Sequence, residues 1–99
     1  MRLCWSDSAL SDLDRLHGFL APSNPAAAAK AVQALVASPE CLLANPRMGE
    51  GLDEFAPRDV RRILVGRYEL RYEIQGDTLV VLRLWHTREH RGGTDAGKA

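Results

Sequence analysis

An excess of positive charge is the first thing this sequence lacks. Its 13 basic and 13 acidic residues cancel over 99 positions. A dedicated nucleic-acid binder carries a strongly basic surface, because neutralising phosphates supplies most of its affinity. Direct, sequence-specific binding to DNA or RNA is therefore not expected. Cysteine is scarce as well: Cys4 and Cys41 stand far apart, with no CxxC pair to build a metal knuckle. They read as small buried hydrophobes rather than as a disulfide or redox pair. No metal and no cofactor is expected. Nor does any apolar run approach the roughly 20 residues that cross a bilayer. The N-terminus turns polar at Ser6-Asp7, too early for a secretory core segment. A cytoplasmic chain without membrane partners is expected, and no internal repeat is visible.

The charges that cancel overall are unevenly placed. Residues 1–57 hold four basic and seven acidic side chains, whereas residues 58–91 hold eight arginines against five acids. The length suits one domain with a single core, assigned to residues 1–91. The small and polar residues 92–99 offer nothing to bury and are expected to form a flexible tail.

Arg2 to Trp5 reads as a short strand. Ser6 is an N-cap candidate, with Asp7 in the first turn where the helix dipole favours negative charge. Leu10, Leu13, Leu16, His17 and Leu20 then recur at helical spacing, with Asp12, Asp14 and Arg15 off the stripe. Ala21-Pro22-Ser23 breaks this helix. Asn24-Pro25 caps a second, whose buried stripe is Ala28, Val32, Leu35 and Val36. The pair makes an αα-hairpin with a short connection. Pro39 falls inside the second helix and, with Ser38 as a fresh cap, predicts a kinked or two-piece helix ending near Leu43. Asn45-Pro46 stops it, and a loop is expected from Met48 to about Pro57.

Three strands follow, Val60 to Val65, Tyr68 to Ile74 and Thr78 to Trp85, joined at Gly66-Arg67 and Gln75-Gly76-Asp77. Tyr68, Leu70, Tyr72 and Ile74 alternate with Glu69, Arg71 and Glu73, the pattern of a half-buried strand. Leu79 to Trp85 is apolar on both faces except at Arg83, which marks a central strand. The order β-α-α-β-β-β gives an α+β fold. A helical hairpin packs on one face of a small, mainly antiparallel sheet, and the other face stays open with the polar side chains.

An arginine within a central strand needs a reason. Either Arg83 grips a phosphate or carboxylate with its planar fork, or it pairs with Glu69, Glu73 or another carboxylate on a neighbouring strand. His86 either serves as a general acid or base near neutral pH, or is a strand-end histidine hydrogen-bonded to backbone. Phosphodiester cleavage would need a base, an acid and a cation, roles open on paper to His86, Arg83 and Arg61 or Arg62. His86, Glu89 and His90 have metal-ligand spacing only if this segment is helical, and it leaves a strand. Arg61, Arg62, Arg67 and Arg71 alternate sides of two strands and cannot all face one ligand. Tyr68 and Tyr72 read as core.

In order and spacing, five landmarks resemble the RelE/ParE superfamily of small bacterial toxins from toxin–antitoxin pairs. They are the opening strand with Ser6-Asp7, Asn24 to Ala28, Pro46-Arg47-Met48-Gly49, Val60 to Tyr72, and Leu82 to Glu89, spanning nearly all of residues 1–91. In that superfamily RelE-like members are ribosome-dependent mRNA endonucleases, and ParE-like members poison DNA gyrase without cleaving RNA. The ending Trp85-His86-Thr87-Arg88-Glu89 is similar to the ParE pattern of a hydrophobic residue, His, a small residue and Arg, with Thr87 where a glycine is common. The Gly49–Arg58 loop has no lysine cluster and no tyrosine follows Trp85, unlike the RelE branch.

The resemblance implies a ParE-like toxin that inhibits DNA gyrase by binding, with no catalytic residues, and with Arg83, His86, Arg88 and Arg61 on the target surface. It also implies a cognate ParD-like antitoxin contacting Leu16, Leu20, Val32 and Arg71 in a toxin–antitoxin hetero-oligomer. Two alternatives stand beside it. One is a RelE-like, metal-independent mRNA endonuclease using Arg83, His86 and Arg62; the other is a non-toxic member that keeps only antitoxin binding.

Overall fold

Two capping side chains start the helical hairpin. In the computed structural model, which describes residues 1–88, Ser6 Oγ accepts the Ala9 N–H at 3.0 Å and opens helix α1, Asp7–Leu20. Asn24 Oδ1 accepts the Ala27 N–H at 3.1 Å and, with Pro25 in the first turn, opens α2, Pro25–Ala44. Each cap satisfies a donor that no helical carbonyl reaches, worth about 1 kcal/mol. The expected tail at 92–99 and the domain end at 91 lie outside the described residues.

Helix α2 runs unbroken through Pro39, so of the expected kinked or two-piece helix the two-piece form is overturned. Proline has no N–H for the carbonyl of Leu35. The Ser38 hydroxyl donates to that carbonyl instead, at 3.2 Å, while Pro39 itself is buried. The expectation about long apolar runs also needs correcting. At 20 residues, charged only at Lys30 and Glu40, α2 is long and apolar enough to cross a bilayer by length and composition. Its residues Ala28, Leu35, Pro39 and Leu42 face into the protein.

The strands are β1 (Arg2–Trp5), β2 (Glu50–Gly51), β3 (Asp59–Val65), β4 (Tyr68–Gln75) and β5 (Thr78–His86). Their spatial order is β1-β5-β4-β3-β2. The meander β3-β4-β5 is antiparallel as expected, and the turns at Gly66 and Gly76 use positive φ, both +61°, which glycine adopts without strain. Strand β1 returns parallel beside β5, so the α+β sheet is mixed. Strand β2 was not expected: two residues inside a loop carry no alternation to read.

Ala9 and Leu16 of α1, Leu35 and Leu42 of α2, and Leu70, Tyr72, Leu79, Val81 and Leu84 of the sheet form one core. Each large apolar side chain buried there contributes about 1.5–3 kcal/mol. Leu3 and Trp5 pack against it, so the alternation of β1 turns Cys4 outward. Cys41 is exposed as well. Neither cysteine is the buried hydrophobe expected.

A bulge in β5 sets the facing of its C-terminal half. Arg71 pairs with Arg83 and Tyr72 with Val81, leaving Leu82 extra. One added residue inverts which side chains face the core. Leu79 and Val81 are buried before the bulge, and Leu84 and His86 after it.

Candidate functional site

The sheet face away from the helices carries arginines and aromatic rings rather than a loose polar surface. Arg62, Arg71 and Arg83 stand in matched register on β3, β4 and β5. Like charges so placed repel unless carboxylates intervene. Glu69 accepts from Arg62 at 3.3 Å and Arg71 at 3.2 Å, and Glu73 accepts twice from Arg58, at 3.1 and 2.7 Å. Both glutamates are buried, where the alternation had suggested a solvated face. Arg58 holds the Glu73 carboxyl below its ordinary value, outweighing burial, which pushes it up.

Rings complete the layer. The Arg71 guanidinium carbon lies 4.7 Å from the Trp85 ring centre and 5.4 Å from that of Phe55. Arg58 approaches Phe55 at 5.9 Å, and Arg83 approaches Trp85 at 5.2 Å. Cations at these distances are attracted by the negative ring faces. Among the described residues the buried Arg71 Nε finds no hydrogen-bond partner, and the rings and Glu69 hold this side chain.

Arg83 answers its question with a residue on a helix. It pairs with Asp12 of α1, Nε to Oδ2 at 2.8 Å and Nη2 to Oδ1 at 3.2 Å, not with Glu69, Glu73 or another neighbouring strand. Asp12, placed off the apolar stripe by spacing, is only 3% exposed because the helix lies against the edge of β5. Burial pushes its carboxyl up, but bonds from Arg83, the Leu84 N–H and Arg15 together hold it below the ordinary range.

His86 lies on the helix side of the sheet. Its ring is buried, meets Tyr68 edge-on at 5.1 Å and lies 6.2 Å from the Phe19 ring. Its Nδ1 accepts the Arg88 N–H at 3.1 Å, the backbone-bonded arrangement. Arg61 also projects to that side, opposite Tyr72. There it donates to Asp59 at 2.9 Å and to the carbonyls of Gly49 at 2.9 Å and Arg47 at 3.2 Å, pinning a loop. Of the four residues assigned to a target surface, Arg83 and Arg88 are exposed, whereas His86 and Arg61 are occupied within the fold. The alternative set Arg83, His86 and Arg62 is divided by the sheet, since Arg62 faces Glu50 and Glu69.

The four residues assigned to antitoxin contact do not share a surface either. Leu16 is wholly buried, and Val32 lines a groove with Leu10, Leu13, Asp14 and His17. Leu20 is half-buried at the end of α1, and Arg71 lies on the opposite face of the sheet. Among the described residues no three His, Cys, Asp or Glu side chains converge to hold a metal; Glu89 and His90 lie outside them. Sequence reasoning missed Asp12, Phe55 and Arg58. The one signal for Asp12 was Arg15 three residues on, the spacing of a helical ion pair.

A family model for the ParE toxin of type II toxin-antitoxin system, parDE, matches residues 3–91. Among solved structures, a chain of the chromosomal ParDE toxin–antitoxin system from P. aeruginosa superposes with a TM-score of 0.73 at 26% identity, over 87% of this chain and 95% of that one. A chain of the RelB-RelE antitoxin-toxin complex from Methanococcus jannaschii has a TM-score of 0.57 at 18% identity, over 90% and 95%, a likeness of fold alone. No curated protein matches.

Proposed function

The chain belongs to the ParE toxin family of type II toxin–antitoxin systems, and on that premise we propose that it is a toxin that inhibits DNA gyrase by binding and is neutralised by a cognate ParD-like antitoxin. The observation that carries binding over catalysis is the division of the polar residues by the sheet. Cleavage at a 2′-hydroxyl needs an acid–base group and a charge-stabilising cation that both reach the same phosphodiester. His86 is instead buried against Tyr68, with Nδ1 engaged by backbone, while Arg62 and Arg71 point from the other face. The end of β5 presents exposed Arg83, Thr87 and Arg88 beside half-buried Trp85. Arginine next to a large aromatic ring is the usual chemistry of a protein-binding hot spot.

The antitoxin side of the proposal rests on the groove between α1 and α2. Leu10, Leu13 and Val32 form its apolar lining, with Asp14 and His17 at its margin. An amphipathic segment that folds on contact would cover it. Toxin and antitoxin would then form a hetero-oligomer in the cytoplasm, where gyrase works.

The test is purified gyrase supercoiling with and without the chain, scored for linear DNA released on denaturation. Accumulated cleavage complexes that disappear on adding the antitoxin are the expected result. Unchanged supercoiling with cleavage of ribosome-bound mRNA would replace this reading with the nuclease.

A further inference from the structure

We propose that Asp12 is a positioning residue for the target surface, fixing Arg83 in the arrangement the target reads. The inference rests on the binding reading above and adds to it a residue on a helix that does not itself meet the target.

Strand β1 ends at Trp5, so beyond Val81 the outer edge of β5 has no strand partner among the described residues. Unpaired backbone groups at such an edge need other partners. Side chains around α1 supply them. Ser6 Oγ donates to the Leu82 carbonyl at 2.9 Å, Asp12 Oδ2 accepts the Leu84 N–H at 2.9 Å, and Arg15 Nη2 donates to the Leu84 carbonyl at 2.9 Å. Arg15 also donates to Asp12 Oδ1 at 2.9 Å. The bulge is thus clamped to the helix at both backbone groups of Leu84.

Arg83 adds two more bonds to the same carboxylate, one to each oxygen. A carboxylate has about four acceptor sites, and Asp12 fills them. The edge is already closed by Leu84 and Arg15, so closing it does not require Arg83. What the pair does is hold Arg83. The carboxylate side chain is 4% exposed and the arginine 44%. One flank of the guanidinium is therefore tied down from within, and its carbon sits 5.2 Å from the Trp85 ring centre. The rest of the side chain is open to solvent at that 44% exposure. A free arginine samples many rotamers and loses that freedom on binding; one already held in place loses less.

The test compares Asp12→Asn, Arg83→Ala, Arg83→Lys and the double variant D12N/R83A in the complete chain. Potency is read as gyrase cleavage complexes and, separately, as growth arrest on induction, with circular dichroism confirming each fold. Asparagine keeps the shape but turns an NH2 toward donors on one side. Asp12→Asn and Arg83→Ala should each lose potency on the order of tenfold. The double variant should be no weaker than Arg83→Ala, and Arg83→Lys should lose potency despite keeping its charge. Full potency in folded Asp12→Asn while Arg83→Ala is weak would overturn the proposal, and so would full potency in Arg83→Ala. A wild-type chain that yields no cleavage complexes sinks the gyrase reading alone, and growth arrest then judges Asp12 by the same comparison. Independently of any variant, the wild-type Arg83 Nε–H should give a distinct, slowly exchanging NMR signal. A fast-exchanging, averaged signal would also overturn it.

Discussion

Tyr72 and Gly49 are packed so that the tyrosine hydroxyl stands where a side chain at position 49 would begin. The hydroxyl accepts the Gly49 N–H at 3.0 Å and donates to the Pro46 carbonyl at 2.6 Å. A Cβ on residue 49 would fall 2.6 Å from that hydroxyl and 2.7 Å from the Arg62 carbonyl. The glycine is required by space, not by its backbone, which has an ordinary extended conformation. This contact ties the segment after α2 to the central strand of the meander.

Gly49→Ala should therefore destabilise by about 1–3 kcal/mol, the range for overpacking a well-filled site. Tyr72→Phe should cost a similar amount, about 1–3 kcal/mol, because it strands a buried N–H and a carbonyl. The two should be less than additive when combined, since removing the hydroxyl relieves part of the clash. Urea unfolding of the two single variants and the double variant checks this.

Ser38→Ala should lower stability by about 1 kcal/mol, although an exchange of serine for alanine within a helix usually helps. The reason is specific to this helix: the Ser38 hydroxyl is the donor that reaches the Leu35 carbonyl beside Pro39. Thermal unfolding should show the loss, and an unchanged or higher midpoint would contradict it.

His86→Gln should keep gyrase-directed activity within about tenfold, because a glutamine oxygen can replace Nδ1 as acceptor for the Arg88 N–H. A general acid–base role would instead predict a fall of about 10²–10⁴-fold. Titrating the variant in the gyrase assay separates the two.

Acid should destabilise the protein through two carboxylates. Asp12 and Glu73 are both held below their ordinary values of 3.8 and 4.5. Their stabilisation is fully present above those unfolded-state values and is lost as pH falls through the lower folded ones. Denaturant midpoints should therefore decline below about pH 4.5. Asp12→Asn should start lower and decline less steeply. Glu73→Gln should do so more weakly, because its partner Arg58 is half-exposed to solvent, which screens the pair.

Much of the fold was legible because it is written in local rules. Ser6 and Asn24 cap helices by short-range geometry, and Tyr68 to Ile74 shows its inner face by alternation alone. The candidate site was less legible. Arg83 is conspicuous in a strand apolar on both faces, but the pattern leaves open an external anion or a carboxylate on a neighbouring strand, and the partner lies on a helix. A helical wheel placed Asp12 off the apolar stripe without showing that the β5 edge would lie over it. Glu69 and Glu73 had the alternation of an exposed face, and arginines from other parts of the chain buried them.

The sequence by itself determined the order of elements, their caps and turns, the α+β class and the resemblance that led to the ParE family, since these depend on neighbours a few residues apart. Only the tertiary structure decided which polar groups meet. A single extra residue in β5 inverted the facing of everything after it, sending His86 inward beside Tyr68 while Trp85 turned to the arginine face. Asp12 and Arg83, 71 residues apart, became one clamp because the helix crosses the edge where β1 ends. Such contacts depend on register and on the packing of distant elements, which no local pattern encodes.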